Sequence, residues 1–361
     1  MKYILEILAT LAFILMWIPP ARRLGLIDVP NHRKPHSGEI PLVGGLGILS
    51  AWVMSLLTLQ LITPEVGYLL GSVTLMLTVS VLDDIYQLSA RFRLMVQIAV
   101  AMIMVFKGHL IINSLGNIFG LGVVHLGVAA IPFTLFSIVG VINAVNMLDG
   151  LDGLAGGMSL IAVMFFGYSA QRAGLGQDAE ILFLLAAALV GFQAVNLRTP
   201  WRAKAKVFMG DAGSMSIGLI LAWYAVRLSS PAHRAIEPVG ALWVLALPVI
   251  DTVAVMSRRI LKGRNPFSAD QEHLHHIILR AGISVQNTVF LMLGLCIIVG
   301  IVGMQGTRLG LPSVVLAAIY VILLMLHMWA TQRAWILMKF LRWLIRIPQH
   351  DKLHDKVAQE S

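Results

Sequence analysis

Two amides and two carboxylates lie close together between two long apolar stretches of this chain. They are Asn143, Asn146, Asp149 and Asp152, within the segment 143–157. A carboxylate at membrane depth costs about 2.5–3.5 kcal/mol even on a lenient insertion scale. We therefore expect these side chains to lie where helices end and a polar, charged or hydrated group is held, and not to face lipid.

Adjacent carboxylates end the third apolar stretch, at Asp83 and Asp84. They repel each other, and the C-terminal end of a helix is already the negative end of its dipole. A divalent cation or acid/base chemistry would relieve both effects, and this interpretation is preferred to a solvated helix end. In the central segment, Asn146, Asp149 and Asp152 recur every three residues, so they share one face if that segment is helical.

An acid and a cation in two further connectors extend this set. Asp211 stands just before the eighth apolar stretch, where a helix N-cap and a metal ligand are equally good interpretations. Lys34 lies in the connector 28–45, between two prolines. By itself this connector is as well explained as an ordinary basic loop.

Three histidines occur within four positions, at His273, His275 and His276, after Arg264. Asp251 precedes them inside an apolar stretch, and we expect it to face the interior of the bundle. No cysteine is near the histidines and their spacing is not His-Glu-x-x-His, so a zinc site is a poor fit. Contact with phosphate or sugar suits this mixture of arginine and histidine better.

These five segments together carry both signs of charge. Acids alone would repel an anionic substrate, and cations alone would need no acids. Both together fit phosphoryl transfer, in which a metal held by carboxylates bridges phosphate oxygens while cations hold the rest. We expect the five segments to meet in one water-facing pocket at one face of a membrane.

The composition places that pocket in an integral membrane protein. Hydrophobic residues make up 58% of the 361 residues, charged residues only 12%, and mean hydropathy is +0.83. Soluble domains usually carry about 25% charged residues. The net charge of +9 would suggest nucleic acid for a soluble protein, but here basic cytoplasmic loops explain it better, so no nucleic-acid partner is expected.

Apolar stretches of spanning length, roughly 17–25 residues, are distributed along most of the chain. They predict an all-α integral membrane protein with a bundle of about eleven transmembrane helices, forming one catalytic domain over 1–331. A basic cytoplasmic tail, 332–361, follows; a helix lying on anionic membrane lipid and a plain stop signal explain it equally well. The stretches lie at about 3–21, 40–62, 66–82, 94–110, 128–146, 154–170, 180–197, 213–228, 238–256, 288–304 and 312–331.

Basic residues decide the orientation of this bundle. With the N-terminus outside, 21 of the 27 lysines and arginines fall on inner connections and the tail, as the positive-inside rule requires. The C-terminus is then cytoplasmic, and the residues with chemical potential lie at the inner face. Six basic residues remain outside: Lys2, Lys107, Arg172, Arg227, Arg234 and Arg308.

Four motifs resemble one family closely. They are Asp-Asp at 83–84, Asn-x-x-Asn-Met-x-Asp-Gly-x-Asp-Gly-Leu from 143, Val-Phe-Met-Gly-Asp-Ala-Gly-Ser from 207, and Asn-Pro-Phe-Ser-x-Asp-x-x-His-x-His-His from 265. The chain is similar, over about 25–282, to the polyprenyl-phosphate N-acetylhexosamine-1-phosphate transferases. Its likeness is greatest to the bacterial branch that starts O-antigen and common-antigen synthesis. The interruption of the histidine run by Leu274 distinguishes it from the muramoyl-pentapeptide branch.

The resemblance implies a reaction and a metal. N-acetylglucosamine 1-phosphate would pass from UDP-N-acetylglucosamine to undecaprenyl phosphate, giving undecaprenyl-diphospho-N-acetylglucosamine and UMP, with Mg²⁺ required and Mn²⁺ as a substitute. Asp211 and Asn146 would ligate the metal. Asp83 and Asp84 would position or deprotonate the lipid phosphate, and His275 would take part in catalysis.

The other implied contacts are with substrate. Asp149 and Asp152 would serve the nucleotide pocket. Five basic residues from different segments would hold phosphate and sugar: Lys34, Arg93, Arg264, His273 and His276. Arg93 stands where relatives often carry lysine, which keeps the charge and changes its geometry. The enzyme would lie in the bacterial inner membrane, with a periplasmic N-terminus and its active site on the cytoplasmic face.

Several alternatives stay open from the sequence. The same fold could use another UDP-N-acetylhexosamine or UDP-N-acetylmuramoyl-pentapeptide. A proton- or ion-coupled transporter would place its acids near the bilayer midplane in repeated halves, and neither pattern occurs. A lipid-linked scaffold would have no need of so many acids. Direct attack by the lipid phosphate is preferred to a covalent aspartyl intermediate. A homodimer is left open.

Overall fold

The computed structural model describes residues 1–28, 38–263 and 273–344. In this part of the chain nearly all regular structure is helical, as the apolar stretches predict. Two short strands, β1 (Ile27–Asp28) and β2 (Ile40–Pro41), pair antiparallel. The helices are α1 (Lys2–Leu24), α2 (Gly44–Thr58), α3 (Pro64–Tyr86), α4 (Ala90–Phe106), α5 (Ala130–Met147), α6 (Leu154–Arg172), α7 (Gly176–Asn196), α8 (Gly210–Ser229), α9 (Pro238–Val244), α10 (Ala246–Leu261), α11 (Leu274–Arg280), α12 (Val285–Arg308), α13 (Ser313–Gln332) and α14 (Ala334–Leu344).

Each predicted apolar stretch contains a helix, but the helices differ in length. Within the described residues, eight are long and apolar enough to cross a membrane, and α9 with α10 makes a ninth bent by 80°. The bend has a covalent cause, because Pro248 has no N–H to donate to the carbonyl of Val244. The 15 residues of α2 extend only about 22 Å, less than a hydrocarbon core of about 30 Å. The count of eleven spans stays a prediction.

Helix α8 is the centre of the bundle. In the apolar 18-residue segment of α8, 83% of the residues are buried, against 22% in α1 and 17% in α13. Helices α2, α3, α5 and α6 pack around it. Large apolar side chains remain exposed on the outer helices, including Leu15, Phe136 and Met325, and these fit contact with lipid. The central position of α8 matters because its first turn carries Asp211.

Two helix starts differ from the sequence predictions. Ser89 Oγ accepts the Phe92 N–H at 3.3 Å, so α4 begins at Ala90 and Arg93 lies in its first turns instead of in a connector. Helix α8 begins at Gly210, so Asp211 is inside its first turn and is not the N-cap.

The central segment also departs from prediction, because α5 ends at Met147 and a turn follows. Gly153 has φ +88°, a left-handed conformation that glycine adopts at no steric cost. The segment is not one continuous helix, so the three polar residues do not share a helical face. Asn146 lies on the last turn of α5, whereas Asp149 and Asp152 lie in the turn before α6.

Close glycine contact joins α2 to α8. A Cβ on Gly45 would lie 2.2 Å from Gly213 Cα, a distance that only the absence of side chains permits. Backbone bonds add to this contact, from Gly44 N–H to the Phe208 carbonyl at 2.9 Å and from Gly45 N–H to the Met209 carbonyl at 3.0 Å. The chain on both sides of Asp211 is thus held firmly against the start of α2.

The beginning of the predicted tail is helical and packed. Helix α14 buries Leu341 in an apolar cluster that includes Leu274, at the start of α11, and Val289 of α12. Arg342 donates to the backbone carbonyls of Ala281 and Arg280 at 3.3 and 3.1 Å. The domain boundary at 331 stays a prediction.

Candidate active site

An arginine links two of the expected acids. Arg93 Nη1 lies 2.9 Å from Asp83 Oδ2 and 3.3 Å from Asp211 Oδ2. Asp83 is buried, whereas the side chain of Asp211 is 36% exposed. The guanidinium offsets part of the repulsion between the carboxylates. The end of α3, the start of α4 and the start of α8 therefore meet at one point.

An amide joins the central segment to the same point. Asn146 Nδ2 donates to Asp211 Oδ1 and to Ser214 Oγ, both at 2.9 Å. Behind it, Asn143 Nδ2 donates to Gln97 Oε1 at 2.7 Å, which ties α5 to α4. Which end of the Asn146 amide faces Asp211 is assigned from this hydrogen-bond network. A half-turn of the amide would present its oxygen beside the carboxylate.

Asp84 has a different task from its neighbour. Its two carboxylate oxygens accept the N–H groups of Asp211 and Ala212, each at 3.3 Å. These are unsatisfied donors of the first turn of α8, so Asp84 caps α8 from another helix. A Cβ at Gly210 would lie 2.9 Å from Asp84 Oδ2, so glycine is needed there for the approach. Asp84 thereby sets the position of Asp211.

Asp152 turns away from this centre. Its Oδ2 lies 2.6 Å from Arg198 Nε and accepts the Ala205 N–H at 3.3 Å. Asn196 strengthens the same junction, because its side chain accepts the Gly153 N–H at 2.7 Å and donates to the Val207 carbonyl at 2.8 Å. Asp152 thus joins the turn after α5 to the connector that leads to Asp211. Asp149 is half-buried in that turn, with its N–H bonded to the Asn146 carbonyl at 3.1 Å.

The histidine run begins at His273, the N-cap of α11, and continues into the first turn of that helix; His273 and His275 are buried. His273 Nδ1 is 2.7 Å from Asp251 Oδ2, and the His273 and His275 rings stack at 5.7 Å. The His276 ring is 4.2 Å from that of His275. A Cβ at Gly150 would lie 2.9 Å from His275 Nε2, so α11 packs directly on the turn that follows Asn146.

The surroundings of His275 favour the neutral form of its imidazole. Burial, with a smaller contribution from the charge of His276, lowers the pKa of His275 to about 3. Among the described residues, neither ring nitrogen has a hydrogen-bond partner. A buried polar group without a partner costs about 1–3 kcal/mol, so a ligand that supplied one would be bound favourably.

His327 was missed by the sequence predictions. Its Nε2 lies 3.0 Å from Asp251 Oδ1, which also accepts the Leu274 N–H at 3.0 Å. Asp251 is fully buried, as predicted, and it joins α10, α11 and α13. A lone histidine within the apolar stretch 312–331 is itself a signal, because ionisable residues in membrane helices are costly and usually functional.

Most of the predicted residues come together. Asp83, Arg93, Asn146 and Asp211 form one bonded group, with Asp84 beneath it and the histidines of α11 against the adjoining turn. Asp152 is bonded one connector away. Lys34 and Arg264 lie outside the described residues.

The donors fit a hard divalent cation. Mg²⁺ prefers oxygen ligands and commonly takes one or two carboxylates together with substrate phosphates. Asp211 is the partly exposed carboxylate of the group, and the Asn146 amide can offer an oxygen next to it. No cluster of three or more His, Cys, Asp or Glu side chains spaced for a metal occurs in residues 1–28, 38–263 and 273–344. Oxygens from substrate or water would therefore complete such a site.

Sequence comparison with known proteins identifies the family of this chain. A family model described as glycosyl transferase family 4 matches residues 66–229, the region from α3 to the end of α8. A protein of Yersinia pestis named undecaprenyl-phosphate alpha-N-acetylglucosaminyl 1-phosphate transferase is 34% identical over 336 residues, covering 93% of this chain and 92% of its own. The chain belongs to glycosyl transferase family 4.

Further relatives in the family carry the same name. The protein from Escherichia coli K12 is 34% identical over 323 residues, with 89% of this chain and 88% of its own covered. The one from Haemophilus influenzae is 35% identical over 339 residues, with 92% and 93% covered. The expected membership of the polyprenyl-phosphate N-acetylhexosamine-1-phosphate transferases is thereby confirmed. An enzyme is favoured over the transporter and the scaffold.

Proposed function

We propose that the protein transfers N-acetylglucosamine 1-phosphate from UDP-N-acetylglucosamine to undecaprenyl phosphate. The products are undecaprenyl-diphospho-N-acetylglucosamine and UMP, and the reaction would initiate a cell-surface polysaccharide such as O-antigen or common antigen. The names of the relatives support this reaction. The observation that carries it is the bonded group of Asp83, Arg93, Asn146 and Asp211, which joins both signs of charge at one point.

Asp211 and Asn146 would hold Mg²⁺, with Mn²⁺ as a substitute. The bound ion would neutralise charge on the diphosphate oxygens. Around it, Arg93 balances the acids and offers further donors to phosphate. Asp84, which is engaged by backbone N–H groups, keeps the first turn of α8 in place. We assign Asp84 this positioning role instead of proton transfer.

The substrate contacts follow from the remaining geometry. His275 offers a neutral N–H to a phosphate or sugar oxygen, and His276 lies beside it. His273 faces Asp251, so it orients the run. Asp149 would contact the nucleotide, whereas Asp152 acts through Arg198 by fixing the connector before Asp211. Lys34 and Arg264, outside the described residues, stay predicted phosphate contacts.

Direct transfer is the step that this arrangement supports best. An oxygen of the lipid phosphate forms a bond to the sugar-side phosphorus, the bond from that phosphorus to the bridging oxygen breaks, and UMP leaves. The acceptor phosphate is ionised at neutral pH, so it needs placement more than activation. Asp83 and Asp84 already accept hydrogen bonds from Arg93 and from α8, which makes either of them a weaker nucleophile.

The site would face the cytoplasm of a bacterial inner membrane. The ends of α3, α5 and α7 and the starts of α4, α6 and α8 all converge on it, which supports alternate crossings of the membrane by these six helices. The concentration of basic residues on that side supports a periplasmic N-terminus and a cytoplasmic C-terminus. A homodimer stays a prediction.

A release assay with the purified protein tests the proposal. UMP should appear only when UDP-N-acetylglucosamine, undecaprenyl phosphate and Mg²⁺ are all present, and Asp211→Asn should abolish its release. Glu237→Gln is the matched control, since it removes one exposed carboxylate far from the site. Parallel reactions with other UDP-N-acetylhexosamines and the muramoyl-pentapeptide donor test the sugar. Full turnover by Asp211→Asn would refute the metal assignment.

A further inference from the structure

A cleft lined by three arginines lies away from the candidate active site. Its volume is about 260 Å³, and its charged members are Arg172, Arg234 and Arg308. Tyr168 and Ser169 also line it. The apolar part of the lining is small: Ala173, Ala235, Ile236 and Met304. No acid lines the cleft in the part of the chain that the structure describes.

Helix lengths place this cleft at the opposite face of the bundle. Arg172 ends α6 and Arg234 follows α8, whereas both helices begin at the candidate active site. The 19 and 20 residues of α6 and α8 correspond to about 28–30 Å. Arg308 ends α12 at the same face. The cleft is therefore no part of the phosphoryl-transfer site.

Basic residues are scarce on this face, and most of those outside the cleft are paired with carboxylates. Of the six basic residues assigned to it, Lys2 pairs with Glu180 at 2.6 Å and Arg227 with Asp178 at 2.9 Å. Among the described residues, none of the three cleft arginines pairs with a carboxylate. The nearby Glu237 has its carboxylate beside Gly116 and is not in the lining.

One guanidinium is already held in place. Arg308 Nη1 donates to Tyr168 Oη at 3.2 Å and to Gln305 Oε1 at 3.5 Å. The same guanidinium lies 5.8 Å from the centre of the Tyr168 ring, within the range of a cation–π contact. These contacts orient the group without neutralising it. Its remaining N–H donors can bind an anion.

We propose that this cleft binds a phosphate-bearing anion. Guanidinium groups present paired N–H donors that match phosphate oxygens, and three of them around one space favour a phosphate over a carboxylate. Such a group has two sources, the headgroup of an anionic phospholipid and free phosphate. The exposed side chain of Tyr168, near the end of α6, leaves the cleft accessible to a headgroup as well as to free phosphate.

Binding to the full-length protein in neutral detergent tests the proposal. The probes are dioctanoyl phosphatidylglycerol, its phosphatidylcholine counterpart and inorganic phosphate, each followed by microscale thermophoresis. Arg172→Gln and Arg234→Gln remove one cleft cation each. Lys107→Gln is the matched control, since it removes an exposed cation of the same face outside the cleft. Thermal unfolding shows whether each variant folds. If one of the two arginine variants is unstable, the other provides the test.

The expected result is a loss confined to the arginine variants. Each should bind phosphatidylglycerol about five- to tenfold more weakly than the wild type, with Lys107→Gln unchanged and phosphatidylcholine weak throughout. The same selective loss for inorganic phosphate alone would support a free phosphate as the ligand. Equal binding of both anionic probes by all variants, or an equal loss in Lys107→Gln, would overturn the proposal.

Discussion

At the scale of single residues, the site depends on how three carboxylates share their partners. Arg93 bridges Asp83 and Asp211 through one nitrogen, and Asn146 holds the other oxygen of Asp211. Asp84 is occupied by the first turn of α8. Residues of the same type therefore have different tasks, which their hydrogen-bond partners determine.

Arg93 gives the first prediction at this scale. Arg93→Ala should lower turnover at least about 100-fold, because two carboxylates lose their counter-charge. Arg93→Lys should lower it about tenfold, since the charge remains but one amine cannot reproduce the bridge. Steady-state UMP release at varied UDP-N-acetylglucosamine measures both. Wild-type turnover in Arg93→Ala would contradict the role given to the bridge.

The buried imidazole of His275 gives the second prediction at this scale. Its folded pKa of about 3 lies below the usual 6.5 of the unfolded chain, so the unfolded state binds the proton first. Stability from this group is then complete above about pH 6.5 and falls as pH drops towards 3, by at most about 1.4 kcal/mol per pH unit. The wild-type unfolding temperature should fall more steeply between pH 6.5 and 4 than that of His275→Gln. Parallel curves of unfolding temperature against pH for the two proteins would contradict this prediction.

At the scale of elements, helix ends bring the residues together. The cap of α4 at Ser89 carries Arg93 into its first turns, and the end of α5 at Met147 separates Asn146 from the acids that follow it. Asp251 then fixes α11 against α10 and α13 by accepting from His273, His327 and the Leu274 N–H. The position of His275 depends on this junction.

His327 can be tested as a positioning residue. His327→Ala should lower kcat about tenfold or more, because the orientation of α11 loses one bond of its anchor, while KM for UDP-N-acetylglucosamine changes less. His327→Gln, which can still donate to Asp251, should recover most of the loss. A variant that loses kcat equally with Gln and Ala would show that the hydrogen bond is not what matters.

At the scale of the whole molecule, α8 is the element around which the site is built. It is buried on all sides and is approached most closely by α2, through Gly45 and Gly213. Gly213→Ala should therefore prevent correct packing, with little monodisperse protein recovered in size-exclusion chromatography. Gly71→Ala on α3, where a Cβ meets nothing within 4 Å, should behave like the wild type. Equal recovery of both variants would contradict the importance of this contact.

The amino-acid sequence by itself determined the class of the protein and most of the site. Apolar stretches and scarce charge indicate a helical membrane protein because the bilayer excludes other solutions. Acids and cations at the ends of those stretches indicate phosphoryl transfer, and Asp83, Arg93, Asn146 and Asp211 do lie together. These inferences needed only local composition and spacing.

Only the tertiary structure decided how those residues divide the work. That Asp84 caps α8, that Asp152 turns to Arg198 and that His327 supports the histidine run all depend on contacts between residues distant in sequence. Helix ends are equally undetermined locally, because caps such as Ser89 and turns such as Gly153 compete with continued helix over small energies. Packing around α8 resolves that competition, and with it the geometry of the site.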